Sequence, residues 1–137
     1  DEDGTTVHAV ADLTEIVGGF DIVVIVTPYD DSTAQLIDAE VLAAMKDDAL
    51  VINVGRGGVI DTEALTAEVL AGRLRCALDV TDPEPLPEGH ALWSAPGAII
   101  TPHVAGFAQL TDSRYASLVR VQAESLASGG DGVNLVP

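Results

Sequence analysis

The feature that most constrains the fold of this chain is a series of short, continuous apolar runs rich in β-branched residues. The strongest run covers Asp21–Val26, and others cover Val7–Val10, Ala49–Val54, Cys76–Val80 and Ala98–Thr101. Runs of this length, bounded by Gly, Pro and polar residues, are typical of buried strands. Because most are continuous rather than alternating, they predict strands that are covered on both faces, as in a parallel sheet.

Helical segments are predicted between these runs, and three of them follow an Asp, a residue type that caps helix N-termini. The predicted segments are Leu13–Val17 after Asp12, Ala39–Met45 after Asp38, a helix from Asp61 to a stop at Gly72, and Leu110–Leu126. The predicted buried faces are Val41, Leu42 and Met45 on the second segment and Leu65, Val69 and Leu70 on the third. Strands that alternate with helices predict an α/β fold with a parallel sheet.

The charge balance excludes two classes of partner. The formal net charge is -16, with six basic residues against 22 acidic ones. Binding to nucleic acid or to an anionic membrane surface needs clustered Lys and Arg, so neither partner is expected.

One cysteine, Cys76, allows no intrachain disulfide. No apolar run approaches the roughly 18 residues of a membrane span, and the first residues do not resemble a signal peptide, so a cytoplasmic location is expected.

Polar or conformationally special residues follow each strand after the first, where that strand ends. They are Thr27, Arg56, Asp79 with Glu84 just beyond it, and His103. In an open parallel sheet the carboxyl ends of the strands share one edge, and ligands bind outside that edge. The sequence therefore predicts a ligand site there, with no metal site.

Three of these residues carry chemistry, although each also has a plain interpretation. Arg56 lies among three glycines and could grip a carboxylate through two parallel hydrogen bonds, or it could be a solvated loop arginine. His103 follows Pro102 and could transfer protons near neutral pH, or it could be an ordinary loop histidine. Glu84 lies in a loop with three prolines and could partner an imidazole, or it could be one exposed acid among 22.

Three motifs in this order resemble the D-isomer-specific 2-hydroxyacid dehydrogenases. The motifs are Val51–Asp61, Ala77–Pro87 and Thr101–Gly106, and the resemblance extends from about Val7 to Pro137. It implies a Rossmann-like dinucleotide-binding domain that transfers a hydride between NAD or NADP, with NAD favoured, and a D-2-hydroxy acid and 2-keto acid pair.

The resemblance also implies a role for each matching residue. The arginine of the family's asparagine-x-x-arginine-glycine motif is Arg56, which would bind the substrate carboxylate. His103 would be the general acid and base, and Glu84 would be its partner. The residues at cofactor-contacting positions are Thr27, Pro28, Val54, Gly55, Asp79 and Gly106, with Asp79 at the nicotinamide end.

The chain departs from the family's usual pattern at two places, which leave the chemistry intact but blur the subfamily. Tyr29–Thr33 replaces the common leucine-threonine-proline-glutamate-threonine segment, and Gly55 stands where Ala, Ser or Cys is commoner. The related formate dehydrogenases have glutamine at the position of Glu84, so Glu84 favours hydroxy acids over formate.

The family's glycine-rich pyrophosphate loop and split substrate domain have no counterpart in the sequence, so we expect an N-terminally incomplete domain that is inactive alone. We expect residues 1–108 to be the C-terminal part of the NAD(P)-binding domain. Residues 109–137 would form a terminal helix and tail that return toward the substrate domain. The intact enzyme is expected to be a homodimer acting on a small 2-keto or 2-hydroxy acid. The alternative function is a dinucleotide-sensing transcriptional corepressor on the same fold.

Overall fold

A four-stranded parallel sheet organises the part of the chain that precedes residue 105. The computed structural model describes residues 6–107 and 111–132, of which those up to Val104 form one compact unit and those from Ala105 form a second. The strands are β1 (Ile22–Ile25), β2 (Leu50–Asn53), β3 (Arg75–Leu78) and β4 (Ala98–Ile100), and they lie in that order in the sheet. All neighbouring pairs are parallel. The predicted α/β class and parallel sheet are confirmed, and each of the four strands is shorter than its apolar run.

Three helices connect to the strands of this sheet, and two of them begin at predicted caps. They are α1 (Leu13–Ile16), α2 (Ala39–Ala44) and α3 (Thr62–Leu70). Asp38 and Asp61 each accept a first-turn backbone N–H at 2.9 Å, which confirms both caps. Gly72 adopts φ 72°, the left-handed conformation with which many helices end. The prediction that Asp12 caps α1 is wrong. Its backbone is not extended (φ -89°, ψ 0°), and its side chain makes no cap bond to α1.

Two further predictions about the first unit are wrong. Val7–Val10 is not a strand: its first residues have no regular structure, Val10 starts a 3₁₀ turn that runs to Asp12, and Val7 is 76% exposed. Leu70 is 55% exposed, although Leu65 and Val69 on the same helix are buried. Residues four apart share a helix face, whereas Leu70 is turned a further 100° away from that face.

The core of the first unit lies between the sheet and the helices. Leu42 of α2 and Val51 of β2 are 0% exposed, as the predicted helix face requires. The expectation that the strands are covered on both faces is wrong for the described residues, because Val24 of β1 and Ile99 of β4 are 53% and 65% exposed. Cys76 of β3 is buried in the same core, and its burial raises the pKa of the thiol to about 11. At neutral pH this cysteine is a small apolar side chain rather than a nucleophile.

The second unit contains one long helix, α4 (Thr111–Ala127). The sequence predicted Leu110–Leu126, and Leu110 itself lies outside the described residues, as do residues 108 and 109. None of the α4 residues is buried, and Tyr115, Val119 and Leu126 are each more than 60% exposed. Neither α4 nor any other helix of the described residues is long and apolar enough to cross a membrane. The predicted division at residue 108 stays a prediction.

Candidate active site

The carboxyl edge of the sheet collects the predicted site residues of the first unit. Because β1 to β4 are all parallel, the segments that follow them leave the sheet at the same edge. Thr27 follows β1, Arg56 follows β2, Asp79 follows β3, and His103 follows β4. The sequence therefore predicted correctly which strand ends carry polar groups.

The turn that carries Arg56 is wedged between two neighbouring strand ends. A methyl carbon added to Gly55 would lie 2.6 Å from the carbonyl oxygen of Thr27, and one added to Gly57 would lie 2.0 Å from that of Thr81. Real Cβ atoms essentially never approach closer than 3.0 Å, so glycine is needed at both positions. Small residues on either side of Arg56 thus let the turn fit between the segments after β1 and β3.

The side chain of Arg56 is exposed at this edge. Its Nη1 donates a hydrogen bond to the carbonyl oxygen of its neighbour Gly55 at 2.7 Å. Within residues 6–107 and 111–132 it forms no ion pair, whereas Lys46 and Arg73 pair with acidic side chains. Arg56 is therefore an exposed cation with no acidic partner among the described residues, in a chain of strong negative charge.

Asn53, to which the sequence analysis assigned no role, closes the same turn. It is the last residue of β2 and is 0% exposed. Its Nδ2 donates to the carbonyl oxygen of Arg56, and its Oδ1 accepts the N–H of Gly55, both at 3.0 Å. The signal was present in the asparagine of the arginine motif, but spacing alone does not show that this amide bonds to the turn.

His103 and Glu84 form the pair that the sequence predicted. The imidazole Nδ1 lies 2.7 Å from the Oε1 of Glu84, and the two side chains are 48% and 42% exposed. A pair this exposed to water adds little to folding stability. The main effect of the contact is to orient the imidazole ring. With Nδ1 bonded to Glu84, proton exchange with a ligand falls to Nε2.

The loop that carries Glu84 is anchored on both sides of that residue. Before it, the hydroxyl of Thr81 donates to the carbonyl oxygen of Pro83 at 2.9 Å. After it, Leu86 is 5% exposed in the core, and the indole N–H of Trp93 donates to the carbonyl oxygen of Pro87 at 3.0 Å. The peptide bonds Asp82–Pro83 and Glu84–Pro85 are both cis. These anchors fix where the carboxylate of Glu84 meets the imidazole.

The backbone at His103 is held in an unusual conformation by Asp79. His103 has φ 55°, in the left-handed region that few residues other than glycine adopt. Its N–H donates to the carbonyl oxygen of Asp79 at 2.9 Å, while the Oδ1 of Asp79 accepts from the hydroxyl of Thr101 and from the N–H of Val104. Asp79 is only 6% exposed, so its carboxylate braces the loop on both sides of His103.

A cavity of about 320 Å³ borders the histidine and glutamate pair. Its polar lining includes Asp79, Glu84 and His103, and its apolar wall includes Leu86 and Trp93. Arg56 does not line this cavity. The structure thus brings three of the predicted residues to one cavity and places Arg56 on a neighbouring turn of the same edge.

Comparisons with known proteins show the family to which the chain belongs. Residues 1–105 match the family model described as D-isomer specific 2-hydroxyacid dehydrogenase, NAD binding domain. The chain belongs to this family.

Two curated relatives show how far the similarity extends. The (S)-sulfolactate dehydrogenase of Chromohalobacter salexigens is 38% identical over 112 residues, which cover 81% of this chain and 36% of that protein. The glyoxylate reductase of Aeropyrum pernix is 34% identical over 125 residues, which cover 90% and 37%. The chain thus spans little more than a third of the length of either relative.

A solved structure agrees at the level of the fold. The D-isomer specific 2-hydroxyacid dehydrogenase of Xanthobacter autotrophicus Py2, in complex with NADPH and MES, has a TM-score of 0.84 and 33% identity. The match covers 96% of this chain and 54% of that one. The four-stranded parallel sheet is accordingly part of a Rossmann-like NAD-binding domain, as predicted.

The residues of this NAD-binding domain at the carboxyl edge fit a dinucleotide. The Oγ1 of Thr27 is buried and has no hydrogen-bond partner among the described residues, so a ligand group could bond to it. Pro28 and Val54 are exposed beside it and could cover an apolar ring, while Gly55 leaves no side chain in the way. Gly106 belongs to the second unit, where its carbonyl oxygen accepts a bond from Thr111 at 3.2 Å.

Proposed function

We propose that this chain works within a dehydrogenase that interconverts a small D-2-hydroxy acid and its 2-keto acid. Two observations support the proposal: the family to which the chain belongs, and the polar residues at the carboxyl edge of the sheet. Because the chain spans about a third of its curated relatives, we propose that activity requires a longer polypeptide that contains this domain. When bound, NAD or NADP supplies or accepts the hydride.

The observation that carries the proposal is the contact of 2.7 Å between His103 and Glu84. Reduction of a keto acid needs a proton at the carbonyl oxygen as the carbon becomes tetrahedral. His103 would donate that proton from Nε2, and Glu84 would hold the ring through Nδ1. In the reverse direction, neutral His103 would accept the proton of the hydroxyl group.

Arg56 would bind the substrate carboxylate. It is exposed and has no acidic partner among the described residues, and its planar guanidinium suits a two-point grip on a carboxylate. We propose a small 2-keto or 2-hydroxy acid as the substrate, a class that includes the glyoxylate and the sulfolactate after which the two relatives are named. Glu84 favours these acids over formate. The homodimer and the cytoplasmic location stay predictions.

The test uses the full-length enzyme with Arg56→Lys. A lysine ammonium cannot reproduce the two-point grip, so the transition-state stabilisation calculated from kcat/KM for keto-acid reduction should fall by on the order of 2–5 kcal/mol. The matched control is Arg75→Lys, because Arg75 is exposed but lies at the opposite, amino-terminal end of its strand, where it bonds to Asp48.

Each result of that test has a distinct meaning. Near-normal kcat/KM in Arg56→Lys would show that Arg56 is a solvated loop residue. A full-length parent that binds NADH but turns over no 2-keto acid would instead support the corepressor alternative.

A further inference from the structure

We infer that Asn53 is the positioning residue of Arg56, an inference that rests on the proposed function of Arg56. The amide of Asn53 spans the turn with one bond on each side of the Gly55–Arg56 peptide. Its Oδ1 accepts the N–H of Gly55, and its Nδ2 donates to the carbonyl oxygen of Arg56, each at 3.0 Å. Two bonds from one rigid amide fix both the place and the direction of the Arg56 backbone.

Asn53 can act as a fixed point because the sheet holds its own backbone. As the last residue of β2 it is paired with Ile25 on one side and with Leu78 on the other. Its carbonyl oxygen accepts the N–H of Asp79 at 2.9 Å, and its side chain is 0% exposed. The turn therefore inherits the rigidity of the two neighbouring strands.

The turn needs such a fixed point because of its own composition. Gly55, Gly57 and Gly58 surround Arg56, and glycine has more conformational freedom to lose than any other residue. Between them Arg56 is extended, with φ -144° and ψ 141°. Without the amide, the Arg56 backbone keeps one bond, from the N–H of Val59 to its carbonyl oxygen at 3.3 Å, and the N–H of Gly55 on the other side of the turn is no longer held.

The chemistry of the turn selects an asparagine at this position. One donor and one acceptor must lie side by side on a short, planar side chain. Aspartate offers no donor to the carbonyl oxygen of Arg56, and a serine hydroxyl is too short to span both groups. Asn53→Ala should thus leave the N–H of Gly55 without a partner and weaken the hold on Arg56, whose carbonyl oxygen keeps only the N–H of Val59 at 3.3 Å.

The experiment is a double-mutant cycle in the full-length enzyme with Asn53→Ala and Arg56→Lys. Asn53→Ala alone should lower kcat/KM for keto-acid reduction roughly tenfold or more. In the Arg56→Lys background the same change should have a clearly smaller effect, because the group that it positions is already impaired. Inhibition by oxamate, which carries a carboxylate, should weaken in Asn53→Ala by a clearly larger factor than the affinity for NADH, although Gly55 of the same turn is also assigned to the cofactor.

Two further variants separate positioning from loss of stability. Val51→Ala removes packing from a 0% exposed position on the same strand, so it should lower the unfolding temperature without a selective loss of oxamate affinity. Asn53→Ser keeps a neutral hydroxyl that can bond to only one of the two groups, so it should fall between the parent and Asn53→Ala. It also takes the place of Asn53→Ala if that variant does not fold.

The outcomes distinguish this inference from the proposed function. Equal effects of Asn53→Ala in both backgrounds, or equal losses of NADH and oxamate affinity, would overturn the positioning role. A normal Asn53→Ala enzyme beside a defective Arg56→Lys enzyme would overturn this inference alone. A normal Arg56→Lys enzyme would overturn the proposed function of Arg56 itself.

Discussion

The closest backbone approach in the candidate site makes Gly57→Ala the most demanding test of the geometry. The added methyl carbon would lie 2.0 Å from the carbonyl oxygen of Thr81, 2.1 Å from its carbonyl carbon and 2.7 Å from the backbone nitrogen of Asp82. All three are main-chain atoms, so no side-chain rotation can relieve the clash. Reaching the 3.0 Å limit requires the turn and the segment after β3 to separate by about 1 Å.

That separation has a structural cost and a functional cost. Overpacking of this kind destabilises proteins by about 1–3 kcal/mol. The two segments also carry Arg56 and Glu84, so the same movement would shift the carboxylate-binding group relative to the proton-transfer pair. A misplacement of about 1 Å can lower the rate about 100-fold. Gly57→Ala should therefore reduce kcat/KM far more than its effect on stability would explain.

The assay compares thermal unfolding and kcat/KM of the full-length enzyme with those of a matched control. Gly19→Ala adds the same methyl group at an exposed glycine with nothing within 4 Å, and it should leave both quantities near the parent values. If Gly57→Ala unfolds at the parent temperature with parent kcat/KM, the close contact between these segments is wrong, and so is the wedged turn.

Two other predictions concern single side chains. Glu84→Ala should lower kcat/KM for keto-acid reduction, because the imidazole of His103 loses the contact of 2.7 Å that orients the ring; steady-state kinetics measure this, and a parent value of kcat/KM contradicts the pairing. Cys76 should react with iodoacetamide at about pH 8 only after unfolding, because burial raises the pKa of its thiol to about 11 and the thiolate is the nucleophile; mass spectrometry that finds the folded protein labelled contradicts its burial.

The sheet was predictable because its strands are specified by local composition. Continuous apolar runs around Val51 and Cys76 predicted strands correctly, although only alternate residues of β2 and β3 are buried. Val7–Val10 has a similar composition but forms no strand pairing in the described part of the chain, because pairing depends on neighbours that a local pattern does not contain. The prediction that Leu70 is buried was wrong for a different reason: an apolar residue need not lie on the buried face of its helix.

The sequence predicted which residue types form the candidate site. It did not predict the hydrogen bonds and close contacts that hold them in place. His103, Glu84 and Arg56 follow strands, and the parallel topology brings them to one edge. The bonds of Asn53 to the turn and the close contact of Gly57 with Thr81 depend on atoms that only the folded backbone positions. The brace that Asp79 provides joins segments far apart in sequence, so no spacing rule reveals it.

The positive φ of His103 restricts what evolution or an engineer can put in its place. Residue 103 must satisfy both proton chemistry and a backbone shape that β-branched side chains adopt only with strain of about 1–3 kcal/mol. An inactive variant for trapping bound substrate should therefore carry asparagine, which tolerates this conformation, so that chemistry alone is removed. Valine or isoleucine at the same position would confound a lost proton donor with a displaced loop, and libraries that sample all residues here would be depleted of them for reasons unrelated to catalysis.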